Sequence, residues 1–204
     1  MSGMEKLHLV LASVALLAGC AATAPRAPDN WAVEFSRAGS SAAAKSEAKP
    51  QFPAVRVASV SVRAPYDAAR FAVLRADGSV AFDGYNQFAA SPAALLRGAV
   101  QDAMEASGRF ARVAAPTSSE AVPLSAEVTV TRLALDCREK GRRAASVALS
   151  VVLIDARRAA VATGRGEGSA TVAAKDFSAA FSGAFASAMD AALAAAAAGA
   201  AGTE

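Results

Sequence analysis

Histidine and cysteine are scarce in this sequence of 204 residues, and this limits the chemistry that the chain can carry out. The single histidine, His8, lies in an N-terminal segment that we expect to be removed. Without histidine, a chain lacks the Ser-His and Cys-His arrangements that activate most nucleophiles, and it lacks imidazole ligands for zinc or iron. The sequence therefore predicts that the protein is not an enzyme and has no metal site and no cofactor; the remaining catalytic routes are a carboxylate pair or a Ser-Lys dyad, and no motif supports either.

The first 19 residues have the organisation of an export signal. A polar start containing Lys6 precedes an apolar run from Leu7 to Leu17, which is shorter than the roughly 20 residues of a membrane span. The run ends in Leu17, Ala18, Gly19 and Cys20, a tetrad that resembles the lipobox of bacterial lipoproteins. In that pattern the chain is cut before the cysteine, whose thiol carries a diacylglycerol. We therefore predict a signal peptide over 1–19, lipidation at Cys20 and a tether over 20–30; the alternative is an ordinary signal peptide with a chance cysteine.

Lipidation of Cys20 has two further consequences. It leaves Cys137 as the one free thiol, so no internal disulfide is expected. The residue after Cys20 is Ala21 and not aspartate. By resemblance to enterobacterial lipoproteins, this predicts sorting to the periplasmic face of the outer membrane of a Gram-negative bacterium.

Charge is modest, with a net value of +3, and it is concentrated in one basic cluster. Arg138, Lys140, Arg142 and Arg143 surround Glu139 between two apolar segments. One interpretation is a solvated hairpin turn, and the other is contact with anionic lipid or an acidic partner. Because we expect the chain to be exported, the charge does not indicate nucleic-acid binding.

Alternation of apolar and polar residues predicts a sheet. The predicted strands cover Trp31 to Phe35, Val55 to Val62, Arg70 to Ala76, Val80 to Phe82, Phe110 to Val113, Leu124 to Asp136, Ala145 to Asp155 and Val161 to Val172. Asp77-Gly78 is a hairpin turn signal. In the second strand, Val55 and Val57 share one face and Val60 and Val62 the other, so it is either buried on both faces or bulged near Ala58. Gly164, Gly166 and Gly168 lack the Lys-Ser/Thr and the following helix of a phosphate loop, and we interpret them as part of a weakened strand.

Two helices are predicted. Ser91 and Pro92 open the first as N-cap and first helical residue, and Gly108 ends it. Asp176 caps the second, whose stripe of large apolar residues at every fourth position is interpreted as core. The stripe consists of Phe177, Phe181, Phe185, Met189 and Leu193. An Ala/Gly-rich end follows, and we predict that it frays. The expected fold is α/β (α+β), a mixed, largely antiparallel sheet packed against two main helices in one domain over 31–195, with a flexible tail over 196–204.

A series of short motifs resembles a known family. In order, they are Pro65-Tyr66-Asp67, Phe71, Arg75-Ala76-Asp77-Gly78, Tyr85-Asn86-Gln87-Phe88, Ser91-Pro92, Leu95-Leu96 and Ser107-Gly108-Arg109-Phe110. Together with the lipobox, this order is similar to the ABC-type transport auxiliary lipoprotein family, which includes the PqiC-like outer-membrane lipoproteins. One departure is Phe88, where the family pattern has tryptophan.

The resemblance implies a non-catalytic auxiliary component of an ABC/MCE-type intermembrane lipid transport system. Such a component would dock the periplasmic part of the system at the outer membrane, and its partners would be an MCE-domain protein and ABC transporter components. An alternative from a different class is an anchored lipoprotein that binds or activates cell-wall or envelope assembly machinery, since a fold alone does not decide function. The transported substrate and the oligomeric state, including a homo-oligomer, are left open.

Overall fold

A computed structural model describes residues 27–33, 35, 49–115, 117–173 and 176–201. In these residues, eight strands form one mixed sheet and two helices pack on it. In chain order the elements are β1 (Asp29–Trp31), β2 (Val55–Val62), β3 (Arg70–Leu74), β4 (Val80–Phe88), α1 (Pro92–Ala106), β5 (Val113–Ala114), β6 (Leu124–Asp136), β7 (Ala144–Asp155), β8 (Ala160–Thr171) and α2 (Phe177–Ala201). The predicted α/β fold, a mixed sheet with two helices in a single domain, is confirmed.

Strand β6 organises the sheet. It pairs antiparallel with β7 along its whole length, and β7 pairs antiparallel with β8. On its other side β6 pairs in parallel with two strands in succession, first β2 and then β3. The sheet therefore branches at β6: β5 adjoins β2, whereas β4 and then β1 adjoin β3.

Both helices pack on the same side of the sheet, because their buried residues join one hydrophobic cluster. The opposite side is called the open face here, and the strand registers identify its residues. One row across it consists of Phe82, Ala72, Ala134, Ser146 and Ser169. No described helix covers this row.

The register of β2 resolves one of the sequence alternatives. Its pairing with β6 is shifted between Val57 and Ser59. Val57 and Val60 are both buried, whereas Ala58 between them is exposed. The predicted bulge near Ala58 is confirmed, and it compensates for the change of spacing, so that Val57 and Val60 both face the core.

The helix ends follow the predicted signals with one difference. Gly108 follows α1 with a φ of 65°, a left-handed conformation that suits glycine. Asp176 caps α2, since its Oδ1 accepts a hydrogen bond of 2.9 Å from the amide of Ala179. Ser91 has the extended backbone of an N-cap, but its side chain makes no capping hydrogen bond. The start of α1 is therefore set by Pro92 more than by the serine hydroxyl.

Three strand predictions need correction. Strand β1 ends at Trp31, so Val33 and Phe35 are buried without belonging to a strand. Strand β4 continues to Phe88, six residues past the predicted end. Phe110 makes only an isolated bridge, to Phe52, and the short strand lies at Val113–Ala114. At Val33, Phe35 and Phe110 the apolar alternation reflects burial in the core. A buried residue of this kind does not need to pair with a neighbouring strand.

The second helix is longer than predicted. It continues to Ala201, and Ala196 and Ala197 are 0% and 9% exposed, so the expected fraying after Leu193 and a flexible segment beginning at 196 are wrong for this part of the chain. The helix is apolar and long enough to cross a membrane by composition, yet 56% of its apolar window is buried in the fold. It is the core helix of the domain.

The close packing of α2 on β8 explains both the glycines and the alanines. A Cβ atom on Gly166 would lie 2.6 Å from the backbone nitrogen of Ala192 and still closer to the carbonyl oxygen of Ala188. Gly164 and Gly168 meet the helix backbone in the same way, one helical turn away on either side. Glycines two residues apart on the strand therefore lie opposite alanines four residues apart on the helix. The two backbones come into contact along this line.

Aromatic side chains fill the space beside this contact. Phe71 lies 4.5 Å from Phe88 and 5.2 Å from Phe181, measured between ring centroids. The five predicted stripe residues of α2 are all buried. Their interpretation as core is confirmed.

Candidate functional site

The predicted lipidation site lies outside the described residues. This applies to Cys20 and to the lipobox residues Leu17, Ala18 and Gly19. The first described residues, Ala27 and Pro28, are exposed and lead into β1. Strand β1 pairs in parallel with the end of β4, with Asp29 opposite Asn86. A tether from Cys20 would therefore enter the domain beside β4.

Two features of the described residues concern metal binding and thiol reactivity. They contain no group of three His, Cys, Asp or Glu side chains that could hold a metal ion. Burial raises the pKa of the Cys137 thiol, and the nearby Arg143 charge only partly offsets this. A raised pKa disfavours the reactive thiolate. Cys137 also donates its backbone amide to Leu74 at 3.0 Å, which fits a structural position at the end of a strand.

The basic cluster forms the turn between β6 and β7, and acidic neighbours engage two of its arginines. Arg138 binds Asp136 at 2.6 Å and lowers the pKa of that carboxyl group, and Arg142 binds Glu139 at 3.1 Å. These pairs border an open hollow of about 440 Å³ above Ala144 and Ser169. The geometry supports the solvated hairpin, because local pairing reduces the charge available to an anionic partner.

A cluster of exposed apolar side chains is the clearest candidate for a binding surface. Four large hydrophobic side chains are exposed among the described residues, and three of them lie on β4: Val80 at 38%, Phe82 at 45% and Tyr85 at 58%. We call these three residues the β4 patch. Val80 and Phe82 pair with Leu74 and Ala72 and lie on the open face. Exposed apolar clusters of this kind mark interaction surfaces.

Hydrogen bonds hold Tyr85 in place. The Asp83 carboxylate accepts hydrogen bonds from the amides of Tyr85 and Asn86, at 2.7 Å and 3.0 Å. Asn86 in turn accepts a bond of 2.9 Å from the indole nitrogen of Trp31 in β1. The register between β3 and β4 is irregular at this point, so the segment bulges. Tyr85 is thus presented on a bulge that is fixed by both its own strand and β1.

The identity of the chain follows from a comparison with known families. The model of the ABC-type transport auxiliary lipoprotein component matches residues 35–201. The chain belongs to this family. Its members are auxiliary components of ABC transport and envelope lipoproteins associated with a membrane, and this membership favours a non-enzymatic role. The match extends to the end of α2, in agreement with the ordered helix there.

One solved structure of known family supports the same fold, and two further structures are similar at lower scores. Protein XCC0632 from Xanthomonas campestris, of the DUF330 family, is 25% identical over 71% of this chain and 81% of its own, with a TM-score of 0.55. An uncharacterized protein has 12% identity over 79% and 90% of the two chains, with a TM-score of 0.48. A PelC dodecamer from Paraburkholderia phytofirmans has 14% identity over 70% and 86%, with a TM-score of 0.38. No curated protein matches the chain.

Phe88, where this auxiliary lipoprotein departs from the tryptophan of the family pattern, lies in the core of the domain. Phe88 is 2% exposed and packs between Phe71 and Phe181 in the aromatic core. Phenylalanine therefore fills an interior position at the end of β4. The neighbouring Tyr85 in the same motif is exposed, and this exposure is the feature that motif order alone did not reveal.

Proposed function

We propose that this auxiliary lipoprotein is anchored through Cys20 at the periplasmic face of the outer membrane. There it docks the periplasmic MCE-domain component of an ABC-type intermembrane lipid transport system. The family match carries the proposal, because it describes an auxiliary component and not the transporter itself. Docking is the role that suits a domain with an exposed apolar surface and few groups suited to catalysis.

The β4 patch is the surface that we assign to docking. Aromatic residues are enriched in protein interfaces because they bury much area and lose little side-chain freedom. Phe82 lies on a regular strand and Tyr85 on a hydrogen-bonded bulge. The backbone at both residues is therefore already fixed before a partner binds. We expect the partner surface to be apolar, with a polar group at its rim that forms a hydrogen bond with the Tyr85 hydroxyl.

The tether geometry supports docking close to the membrane. Ala21 to Pro28 link the lipidated cysteine to β1, and a segment of this length reaches at most about 30 Å when fully extended. Because Asp29 pairs with Asn86, the tether ends next to Tyr85. The β4 patch would therefore lie within a short distance of the lipid headgroups, where a periplasm-spanning partner would end.

Phe82→Ser tests the assigned surface. We expect it to weaken binding to the MCE-domain protein of the same bacterium by at least about 10-fold, the effect of removing an aromatic anchor from an interface. The dissociation constant would be measured by biolayer interferometry with the purified lipoprotein immobilised. Thermal unfolding would be recorded in parallel to show that the fold is intact.

Val161→Ser is the matched control, since Val161 is an exposed apolar residue at 41% on the distant strand β8. It should bind the partner as the wild type does. Equal binding by wild type and Phe82→Ser would remove the β4 patch from the proposal.

A further inference from the structure

Strand β8 presents a long unpaired edge. It is 12 residues long and pairs only with β7 among the described residues. The other outer strands of the sheet, β1 and β5, have three and two residues. A long free edge offers a row of backbone donors and acceptors to another strand, and monomeric proteins usually protect such edges with proline, bulges or short strands.

The exposed side chains of β8 are arranged symmetrically about Gly166. Arg165 and Glu167 flank the glycine, and Thr163 and Ser169 lie one step further out. All four are exposed on the open face, whereas Gly164, Gly166 and Gly168 face the helix. At equal distances on either side of Gly166, the strand therefore carries complementary side chains. The first two are a cation and an anion, and the next two both carry hydroxyl groups.

We propose that β8 pairs antiparallel with β8 of a second copy of this chain, around a two-fold axis at Gly166. Each Arg165 then lies opposite Glu167 of the second copy, and each Thr163 opposite Ser169. By symmetry the interface contains two ion pairs and two hydroxyl pairs, and opposite charges facing each other across strands stabilise a ladder. The second copy is the occupant that this symmetric charge pattern specifies.

The same charges also select one register. A slip by two residues in one direction places Glu167 opposite Glu167, and a slip in the other direction places Arg165 opposite Arg165. Like charges directly opposite one another destabilise strand pairing. A one-residue slip would turn the exposed side chains toward the helices. The pairing centred on Gly166 is therefore favoured over its neighbours.

The surroundings of β8 leave room for this pairing. Glu167 accepts a bond of 2.6 Å from Arg132 through one oxygen, and its side chain remains 72% exposed toward solvent. The exposed residues of α2 between positions 187 and 198 are all small: Ser187, Ala191, Ala194, Ala195 and Ala198. Helices with small side chains at their contact can approach closely, so two copies of α2 can lie side by side above the joined strands.

Cysteine cross-linking tests the register directly. In the purified full-length protein, Thr163→Cys combined with Ser169→Cys should give a covalent dimer as the main product after oxidation with copper phenanthroline. Positions 163 and 169 within one chain are about 20 Å apart along the strand, so a bond between them joins two copies. Each single variant should give little dimer, because in this register position 163 does not face itself and neither does 169. These single variants also report any cross-linking through Cys137.

Charge reversal tests the recognition. Arg165→Glu, added to the double-cysteine protein, should lower the cross-linked fraction at least fivefold, by our estimate from like-charge repulsion at both symmetric pairs. Adding Glu167→Arg should restore it. Arg157→Glu, a reversal in the exposed β7–β8 turn, should leave it unchanged. Absence of the dimer, equal dimer in the single-cysteine variants, or an Arg165→Glu variant that cross-links normally would each overturn the proposal.

Discussion

Replacing Gly166 by alanine lowers the free energy of unfolding by at least about 3 kcal/mol, the upper end of the usual cost of overpacking. In an ordinary strand the same change would stabilise by roughly 0.5–1 kcal/mol, because alanine restricts the unfolded chain. Here the new methyl group would overlap the carbonyl oxygen of Ala188. Backbone atoms of a helix cannot move aside as a flexible side chain does, so α2 must separate from the sheet.

Chemical denaturation of the purified protein, followed by circular dichroism, measures this effect. Gly98→Ala is the control, because Gly98 lies on the exposed side of α1 with no atom within 4 Å of its Cβ position. That substitution should raise the unfolding free energy by up to about 1 kcal/mol, the helix propensity difference. If Gly166→Ala proved as stable as the wild type, the described contact between β8 and α2 would be wrong.

We expect Cys20→Ser to release the protein from the outer membrane or to mislocalise it. Two or three acyl chains on the cysteine hold a lipoprotein firmly, since each buried methylene contributes about 0.8 kcal/mol, and serine cannot take the thioether-linked lipid. The described fold contains one helix of membrane-span composition, α2, and it is largely packed against the sheet. No second anchor is therefore expected from that helix.

Cell fractionation with a high-pH wash, followed by immunoblotting, records the change of location. The control is Cys137→Ser, which removes the other thiol and should leave the protein in the membrane fraction. Mass spectrometry of the N-terminal peptide should find acyl groups on Cys20 in the wild type. A Cys20→Ser protein that stays bound and functional would contradict the lipobox assignment and point to the ordinary signal peptide.

Local sequence signals predicted much of the fold because they act within a few residues. The limits of β6 agree with the prediction, Asp77-Gly78 turns the β3–β4 hairpin, and the bulge at Ala58 was visible as a change of face among four valines. The stripe on α2 was equally clear. In each case the period of the side chains reports directly on the buried face.

Long-range packing explains what the sequence did not predict. Glycines weaken an isolated strand and an alanine run frays as an isolated helix, but together they bring the backbone of β8 against the backbone of α2. Neither segment reveals its partner from its own composition. The branching of the sheet at β6 likewise depends on two short parallel pairings far apart in sequence.

The candidate site divides in the same way. Cys20 and its lipobox were predicted from contiguous residues, and they remain predictions because they lie outside the described part of the chain. The β4 patch could not be predicted, since the exposure of Phe82 depends on which face of the sheet the helices cover. The Tyr85-Asn86-Gln87-Phe88 motif contained the signal, but only the fold separates its exposed tyrosine from its buried phenylalanine.

Co-purification from native membranes tests the proposed docking role most directly. The full-length protein, tagged at its C-terminus and extracted in mild detergent, would be captured, and the recovered proteins identified by mass spectrometry against an untagged control. The proposed role predicts an MCE-domain protein together with ABC transporter components, depleted in the Phe82→Ser variant. Recovery of peptidoglycan synthases or other cell-wall machinery, with no transport component, would contradict it.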